Sequence, residues 1–143
     1  MNKIIKRAIE VNPEEFATLE SDLYCKLNTI ENKPDFVTAF LDISSWLGTS
    51  LRGGVWTYYE ATAQREVEQV ISFLQKYAPD NKITELYSMG NHDYSNEKYQ
   101  SDFNYPQEWL DESDIIDTWI DENELVIVAF MQELLSNNKS YFD

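Results

Sequence analysis

Cysteine and histidine, the residues that most often bind metals or take part in catalysis, are almost absent from this chain of 143 residues. Cys25 is the only cysteine and His92 is the only histidine. A single cysteine excludes an internal disulfide and fits a reducing compartment. Beside Leu23 and Leu27, Cys25 is expected to be a small buried residue. One histidine with no cysteine nearby cannot form the usual zinc site, so the sequence predicts neither a metal nor a cofactor.

Basic residues are also few, since 11 lysines and arginines face 26 aspartates and glutamates, which gives a net charge of −15. A chain this acidic repels nucleic acid and anionic membranes and attracts basic partners. The same charge is found in proteins that are merely soluble, and this simpler interpretation stays open. A hydrophobic content of 43% with 14% aromatic residues argues against a disordered chain.

Long apolar runs are missing, and no stretch approaches the roughly 20 residues that a helix needs to cross a bilayer. Residues 1–11 contain basic residues and isoleucines, but not the unbroken apolar segment of a signal peptide. We therefore expect a cytoplasmic protein. These first residues fit either a short strand or a helical turn.

Proline and glycine number four each, and most of them stand at the ends of apolar patterns with helical spacing. Asn12 and the proline after it predict a helix start, and Gly48 predicts the end of the helix that begins at Pro34. Thr62 is the predicted N-cap of a long amphipathic helix over residues 65–76. Together the patterns predict an all-α fold, a single domain over residues 1–143 with about six helices.

Residues 91–106 show no periodicity and are rich in asparagine, serine, aspartate and tyrosine, so they predict a long surface loop. The loop contains four aromatic side chains, which either hold it against the fold or offer a contact surface: Tyr94, Tyr99, Phe103 and Tyr105.

An acidic segment fills the last third of the chain, where no lysine or arginine occurs between Lys98 and Lys139. The pattern over residues 107–120 predicts a helix with an apolar side, and carboxylates recur on its other side at spacings of three and four. Such a face can fit a basic groove that is built for phosphates. The predicted partner-binding residues are Asp111, Glu112, Asp114, Asp117, Asp121 and Glu122.

The alternative is a solvated helix face, in which Asp121 and Glu124 serve only to cap the last helix, from Glu122 to about Ser136. That helix is apolar on all sides from Leu125 to Met131, so it is expected to be central and buried.

Motifs for catalysis are lacking. Gly53 and Gly54 do not form a phosphate loop, and no calcium-binding loop occurs among the carboxylates. No nucleophile is placed beside His92, although Asp93 follows it. The sequence therefore predicts no catalytic residue, and an enzyme with a site near His92 is the least favoured alternative.

Residues 51–59, LRGGVWTYY, carry a resemblance to a known family. They are similar to the Asn-Gly-Gly-Phe-x-x-Tyr-Phe signature of a bacterial family of small helical domains of unknown function, whose named member is the dimeric DNA-mimic protein. Arg52 stands where that family has asparagine. The similarity extends over residues 35–142 and includes the acidic segment and the final apolar helix.

This resemblance implies an all-helical domain that forms a homodimer and whose acidic surface occupies a basic DNA-binding or nuclease-like protein. A second hypothesis is an immunity protein that neutralises a basic toxin, which would need the same acidity. Both hypotheses assign binding rather than catalysis to the chain.

Overall fold

Helices account for nearly all of the regular structure in a computed structural model that describes residues 1–95 and 105–143. No strand occurs in these two ranges, so the all-α prediction is confirmed. The eight helices in these ranges are α1 (Lys3–Glu10), α2 (Pro13–Asn28), α3 (Asp35–Gly53), α4 (Val55–Ala61), α5 (Gln64–Tyr77), α6 (Lys82–Met89), α7 (Gln107–Glu122) and α8 (Glu124–Asn137), and a 3-10 turn (Lys139–Phe142) follows them.

The predicted number of about six helices is too low. The N-terminal residues, which fitted either a strand or a helical turn, form the helix α1. The short helices α4 and α6 fall where the sequence pattern favours short helices, before the break near Ala61 and before Gly90. The predicted loop is irregular at residues 91–95 and 105–106. Tyr99 and Phe103, two of its aromatic residues, lie outside the described residues.

The chain divides into two compact units, one made of Met1–Ser44 with Asn123–Asp143 and the other of Ser45–Glu122. The first unit holds α1, α2, the beginning of α3, and α8. The second holds the end of α3 and α4 to α7. A single domain over residues 1–143 therefore stays a prediction.

Helix ends follow the predicted capping only in part. The Oδ1 atom of Asn12 accepts a hydrogen bond from the backbone N–H of Glu15 at 2.9 Å, which confirms the cap of α2. The Glu15 carboxylate accepts from the Arg7 guanidinium at 2.8 Å and so connects α2 to α1. Gly48 does not end α3, which continues to Gly53 and stops where Gly54 takes a φ of 91°.

The starts of α5 and α8 are each displaced from their predicted caps. Ala63 rather than Thr62 precedes α5, and its side chain cannot cap. Asn123 precedes α8, so Asp121 ends α7 instead of capping the last helix.

Two expectations of burial are wrong. Leu125 and Val126 in the first turn of α8 are 47% and 51% exposed, so this helix is buried only from Ile127 onward. Cys25 is exposed, because α2 buries the face that carries Leu23 and Leu27 and leaves Cys25 outside it.

The first unit packs α1 and α8 against α2 around an apolar core. Phe16 of α2 meets Phe40 of α3 edge to face, with ring centroids 6.3 Å apart. Gln132 of α8 donates from Nε2 to the carbonyl oxygens of Ala8, at 2.8 Å, and Val11, at 2.5 Å. These two bonds satisfy carbonyls at the C-terminus of α1, which would otherwise lack partners.

The second unit is built on an aromatic core in which each polar ring atom is hydrogen-bonded. The indole N–H of Trp46 donates to the Tyr59 hydroxyl at 3.1 Å, and that hydroxyl donates to the carbonyl oxygen of Tyr87 at 2.7 Å. The hydroxyls of Tyr58 and Tyr87 lie 2.5 Å apart. Buried rings of this kind combine a large apolar area with directional bonds, so they hold α3, α4 and α6 in one arrangement.

Gly90, at the end of α6, makes this arrangement testable. A Cβ added at Gly90 would lie 2.3 Å from the Tyr59 ring, which the hydrogen bonds to Trp46 and Tyr87 hold in place. We predict that Gly90→Ala lowers the free energy of unfolding by about 1–3 kcal/mol through overpacking, measured by urea denaturation.

Gly48→Ala is the matched control. Its Cβ would lie 3.9 Å from the Arg52 guanidinium, in ordinary contact, within the helical interior of α3. Alanine there should raise the free energy of unfolding by about 0.5–1 kcal/mol. Equal effects at the two glycines would contradict the packing described around Tyr59.

Candidate functional site

Helix α7, which contains all six predicted contact residues, has one buried face and one exposed face. Ser113, Ile116 and Ile120 are buried, at the spacing of three and four that defines one side of a helix. On the other side, Ile115 is 53% exposed. The helix contains no lysine or arginine, and Glu108 lies in its first turn. It therefore presents negative charge to solvent over its whole length.

The six predicted residues separate into two groups. Asp111, Asp114, Asp121 and Glu122 are exposed, and none of the four forms an ion pair with a residue that the structure describes. Asp111 accepts one hydrogen bond, at 2.9 Å, from Gln107 of its own helix. These four carboxylates, which we call the acidic face, are available to a partner.

Asp117 is part-buried and has a structural role. Its Oδ1 atom accepts from the Ser50 hydroxyl at 2.5 Å and from the backbone N–H of Val55 at 2.9 Å. Val55 is the first residue of α4, and Gly54 before it has no side chain that could cap the helix. Asp117 therefore supplies the cap of α4 from another helix and connects α7 to the end of α3.

Glu112 is also engaged, in a hydrogen bond with His92. Its Oε2 atom lies 2.5 Å from His92 Nε2, and the two side chains are only 22% and 21% exposed. The imidazole ring stacks on Trp109, with centroids 4.3 Å apart and planes 11° apart. Trp109 and Glu112 are three residues apart on α7, so together they fix the segment that follows α6 to this helix.

Tyrosines surround this contact and join it to the aromatic core. Tyr94 stacks on Tyr59 at 6.0 Å, and its ring also lies 5.3 Å from that of Trp109. Tyr105 lies 5.7 Å from Trp109, and its hydroxyl donates to the Glu60 carboxylate at 2.7 Å. The two described ends of the predicted loop are thus held by aromatic contacts, as one of the two sequence interpretations expected.

Burial changes the acidity of three of these tyrosines. Burial raises the pKa of Tyr59 well above its usual value, and Tyr87 nearby adds to the effect. Burial also raises the pKa of Tyr94, and the neighbouring Tyr105 makes the second-largest contribution to this increase. Burial and the hydrogen bond to Glu60 raise the pKa of Tyr105 to about 12. The phenolate forms are therefore disfavoured in the folded protein.

A cavity of about 510 Å³ opens beside the tyrosines. Its described walls come from the end of α4, the first turn of α5, residues 91–95 and Tyr105. Glu60 and Asp93 bring carboxylates to it, His92 brings the imidazole, and no lysine or arginine occurs among the described lining residues. This volume lies within the range of about 300–1,000 Å³ that is usual for small-molecule sites.

Within residues 1–95 and 105–143, no group of three or more histidine, cysteine, aspartate or glutamate side chains is placed to hold a metal ion. No helix in the described part of the chain is both long enough and apolar enough to cross a membrane.

Known proteins add nothing to this geometry, because no protein-family model, no curated protein and no solved structure matches the chain. The resemblance carried by residues 51–59 therefore stays a prediction.

Two functional features escaped the sequence interpretation. The cap of α4 by Asp117 joins residues 62 positions apart, and only the lack of a capping side chain at Gly54 hints that a remote acceptor is needed. The hydrogen bond between His92 and Glu112 joins a loop to a helix 20 residues away, and no local spacing indicates it.

The structural carboxylate Asp117 can be distinguished from the exposed carboxylates of α7 by how much its removal lowers the free energy of unfolding. We predict that Asp117→Ala lowers the free energy of unfolding by about 0.5–2 kcal/mol, because α4 loses its cap and Ser50 loses its acceptor. Asp114→Ala, one turn earlier on the acidic face, should stay within about 0.5 kcal/mol of the original protein. Urea denaturation measures both, and equal losses would contradict the structural role of Asp117.

The raised tyrosine pKa values predict a loss of stability at alkaline pH. Between pH 10 and about 12 the unfolded chain releases the protons of Tyr59, Tyr94 and Tyr105, whereas the folded chain retains them. The unfolded state then binds fewer protons, so the stability that is complete below pH 10 falls as the pH rises. The expected slope is about 1.4 kcal/mol per pH unit for each tyrosine.

Urea denaturation at a series of alkaline pH values, with tyrosinate absorbance followed in parallel, checks this expectation. Tyr105→Phe should reduce the dependence of stability on pH by the contribution of one tyrosine. A slope that the substitution leaves unchanged would contradict the assignment to Tyr105.

Proposed function

We propose that this protein acts by binding rather than by catalysis, and that it uses the acidic face to occupy a basic DNA-binding or nuclease-like protein. The observation that carries the proposal is the exposure of Asp111, Asp114, Asp121 and Glu122 on one helix, without ion pairs to the described residues. Glu112 and Asp117 belong to the same site as positioning residues, since their contacts hold α7 in place.

The spacing of the charges supports a partner that normally binds phosphates. From Asp111 to Glu122 the helix rises about 17 Å, at 1.5 Å per residue. A duplex presents about ten phosphates over that length, at one per 1.7 Å of axis. The acidic face carries four carboxylates, so it supplies less than half of this charge density. It would therefore engage part of a phosphate-binding groove, and binding should depend strongly on salt.

Charge removal at the acidic face tests the proposal. The variant Asp111→Asn, Asp114→Asn, Asp121→Asn and Glu122→Gln removes four negative charges from α7. We expect it to weaken binding to a basic DNA-binding protein or nuclease by at least about tenfold, a loss of about 1.4 kcal/mol. Pull-down and titration at low and high salt against a panel of such purified proteins measure the effect, and duplex DNA should compete.

The control removes the same number of charges from other exposed positions, Glu10, Asp22, Glu68 and Asp80, by the equivalent amide substitutions. This control should retain most of the affinity. An equal loss of affinity in both variants would mean that only the net charge matters. An affinity that does not change with salt concentration would contradict the proposal.

An immunity protein for a basic toxin remains the alternative, because it would use the same carboxylates. Neutralisation of a toxin that is encoded beside this chain, measured as rescue of growth, distinguishes it from an inhibitor of a DNA-binding protein. The enzyme alternative at His92 gains a cavity from the structure, but Nε2 of that histidine is held by Glu112.

The homodimer rests on the resemblance alone and stays a prediction. Repulsion between two copies disfavours a dimer formed through the acidic face. Exposed apolar side chains such as Leu125 and Val126 of α8 are better suited to a contact between copies. The mass of the chain in solution, measured by sedimentation equilibrium, decides the question.

A further inference from the structure

The cavity beside the tyrosines combines two features that recognise organic cations. Its described walls include the rings of Tyr59, Tyr94 and Tyr105 together with the carboxylates of Glu60 and Asp93. Aromatic faces attract ammonium and guanidinium groups, and carboxylates accept charge-assisted hydrogen bonds from them. We propose that this cavity binds the guanidinium or ammonium group of a basic side chain.

The polar groups of the cavity are held in place before any ligand arrives. Glu60 accepts from the Tyr105 hydroxyl at 2.7 Å, and Asp93 accepts from the Ser95 hydroxyl at 2.6 Å. Each of these bonds occupies one carboxylate oxygen, and within residues 1–95 and 105–143 no side chain bonds to the second oxygen of either group. A cation therefore meets acceptors whose positions are already restricted, which lowers the entropic cost of binding.

The charged groups that line the cavity favour a cation, because their negative charges outweigh their positive ones. His92 in the cavity wall lies against the Glu112 carboxylate, so the imidazole adds no uncompensated positive charge. The first turn of α5 also lines the cavity, and a helix N-terminus carries about half a positive charge. Glu60 and Asp93 contribute two full negative charges, so the balance over the described lining residues is negative.

The ligand class follows from the proposed function, on which this inference rests. A basic protein that approaches the acidic face presents arginine and lysine side chains, and a buried pocket for one such side chain is typical of the residues that dominate binding energy. Glu112 lies next to Asp111 on α7 and also contacts His92 of the cavity wall. His92 in the wall of the cavity thus contacts the helix that carries the acidic face.

The test uses N-acetyl-arginine amide as the probe and N-acetyl-citrulline amide, its uncharged isostere, as the control ligand. Titration is followed by the amide NMR signals of residues 59–64 and 91–95. We expect saturable shifts at these residues with the arginine probe, and affinity for the citrulline compound at least about tenfold lower. Absence of saturable shifts, or equal affinity for both compounds, would overturn the inference.

Variants then assign the binding to the two carboxylates. Glu60→Gln with Asp93→Asn keeps acceptors for Tyr105 and Ser95 but removes both charges, and it should weaken arginine binding at least about tenfold. Glu66→Gln with Glu68→Gln on the exposed side of α5 is the matched control and should leave the affinity unchanged. Equal losses in the two pairs would count against the site.

The outcome is independent of the test of the acidic face, because no partner protein is present in the titration. If the arginine probe does not bind but the α7 variants lose affinity for the basic partner, the cavity proposal is contradicted and the proposed function still holds. Binding of the arginine probe together with a negative result for the α7 variants retains a cation site and removes the acidic face.

Discussion

The hydrogen bonds to the Asp117 carboxylate determine which side of α7 faces outward. One oxygen accepts both the Ser50 hydroxyl and the first N–H of α4, so α7 cannot rotate about its axis without leaving two donors unsatisfied. Gly54 makes the contact feasible, because its φ of 91° is a backbone conformation that residues with a side chain rarely adopt. The buried residues Ser113, Ile116 and Ile120 lie on one flank of Asp117. Asp114 and Asp121 lie on the other flank and are exposed.

The aromatic core sets the position of the second contact on α7. Tyr59 connects Trp46 and Tyr87 by hydrogen bonds and also stacks against Tyr94. Through Tyr94 the core reaches Trp109, which holds the His92 ring that pairs with Glu112. Asp117 and Glu112 thus anchor α7 at two points five residues apart, and the exposed carboxylates of the acidic face stand on a rigid support.

The sequence was informative where structure depends on neighbours along the chain. The Asn12 cap, the all-α class and the buried side of α7 followed from spacings of three and four residues. Prediction failed where a distant group decided the outcome. Gly48 was expected to end α3, but its neighbours continue the helix as far as the positive φ of Gly54.

The same limit applies to the candidate site. Six carboxylates on α7 looked equivalent in the sequence, because the periodicity of a helix shows which residues share a side but not what lies opposite them. Glu112 and Asp117 proved to be engaged by His92 and by α4, which only the tertiary structure reveals. The cavity likewise joins residues 59–67 to residues 91–95 and Tyr105, and no motif marks it in advance.

The carboxylates in the last turn of α7 destabilise this helix electrostatically. Asp121 and Glu122 occupy the last turn, where the helix dipole is negative and no basic residue compensates it. Each such charge costs roughly 0.3–1 kcal/mol, and like charges three or four residues apart add some tenths more. Lysine at the same positions would keep the helix soluble and stabilise it. Solubility alone therefore does not explain these carboxylates, and the positively charged partner proposed above would offset their repulsion on binding.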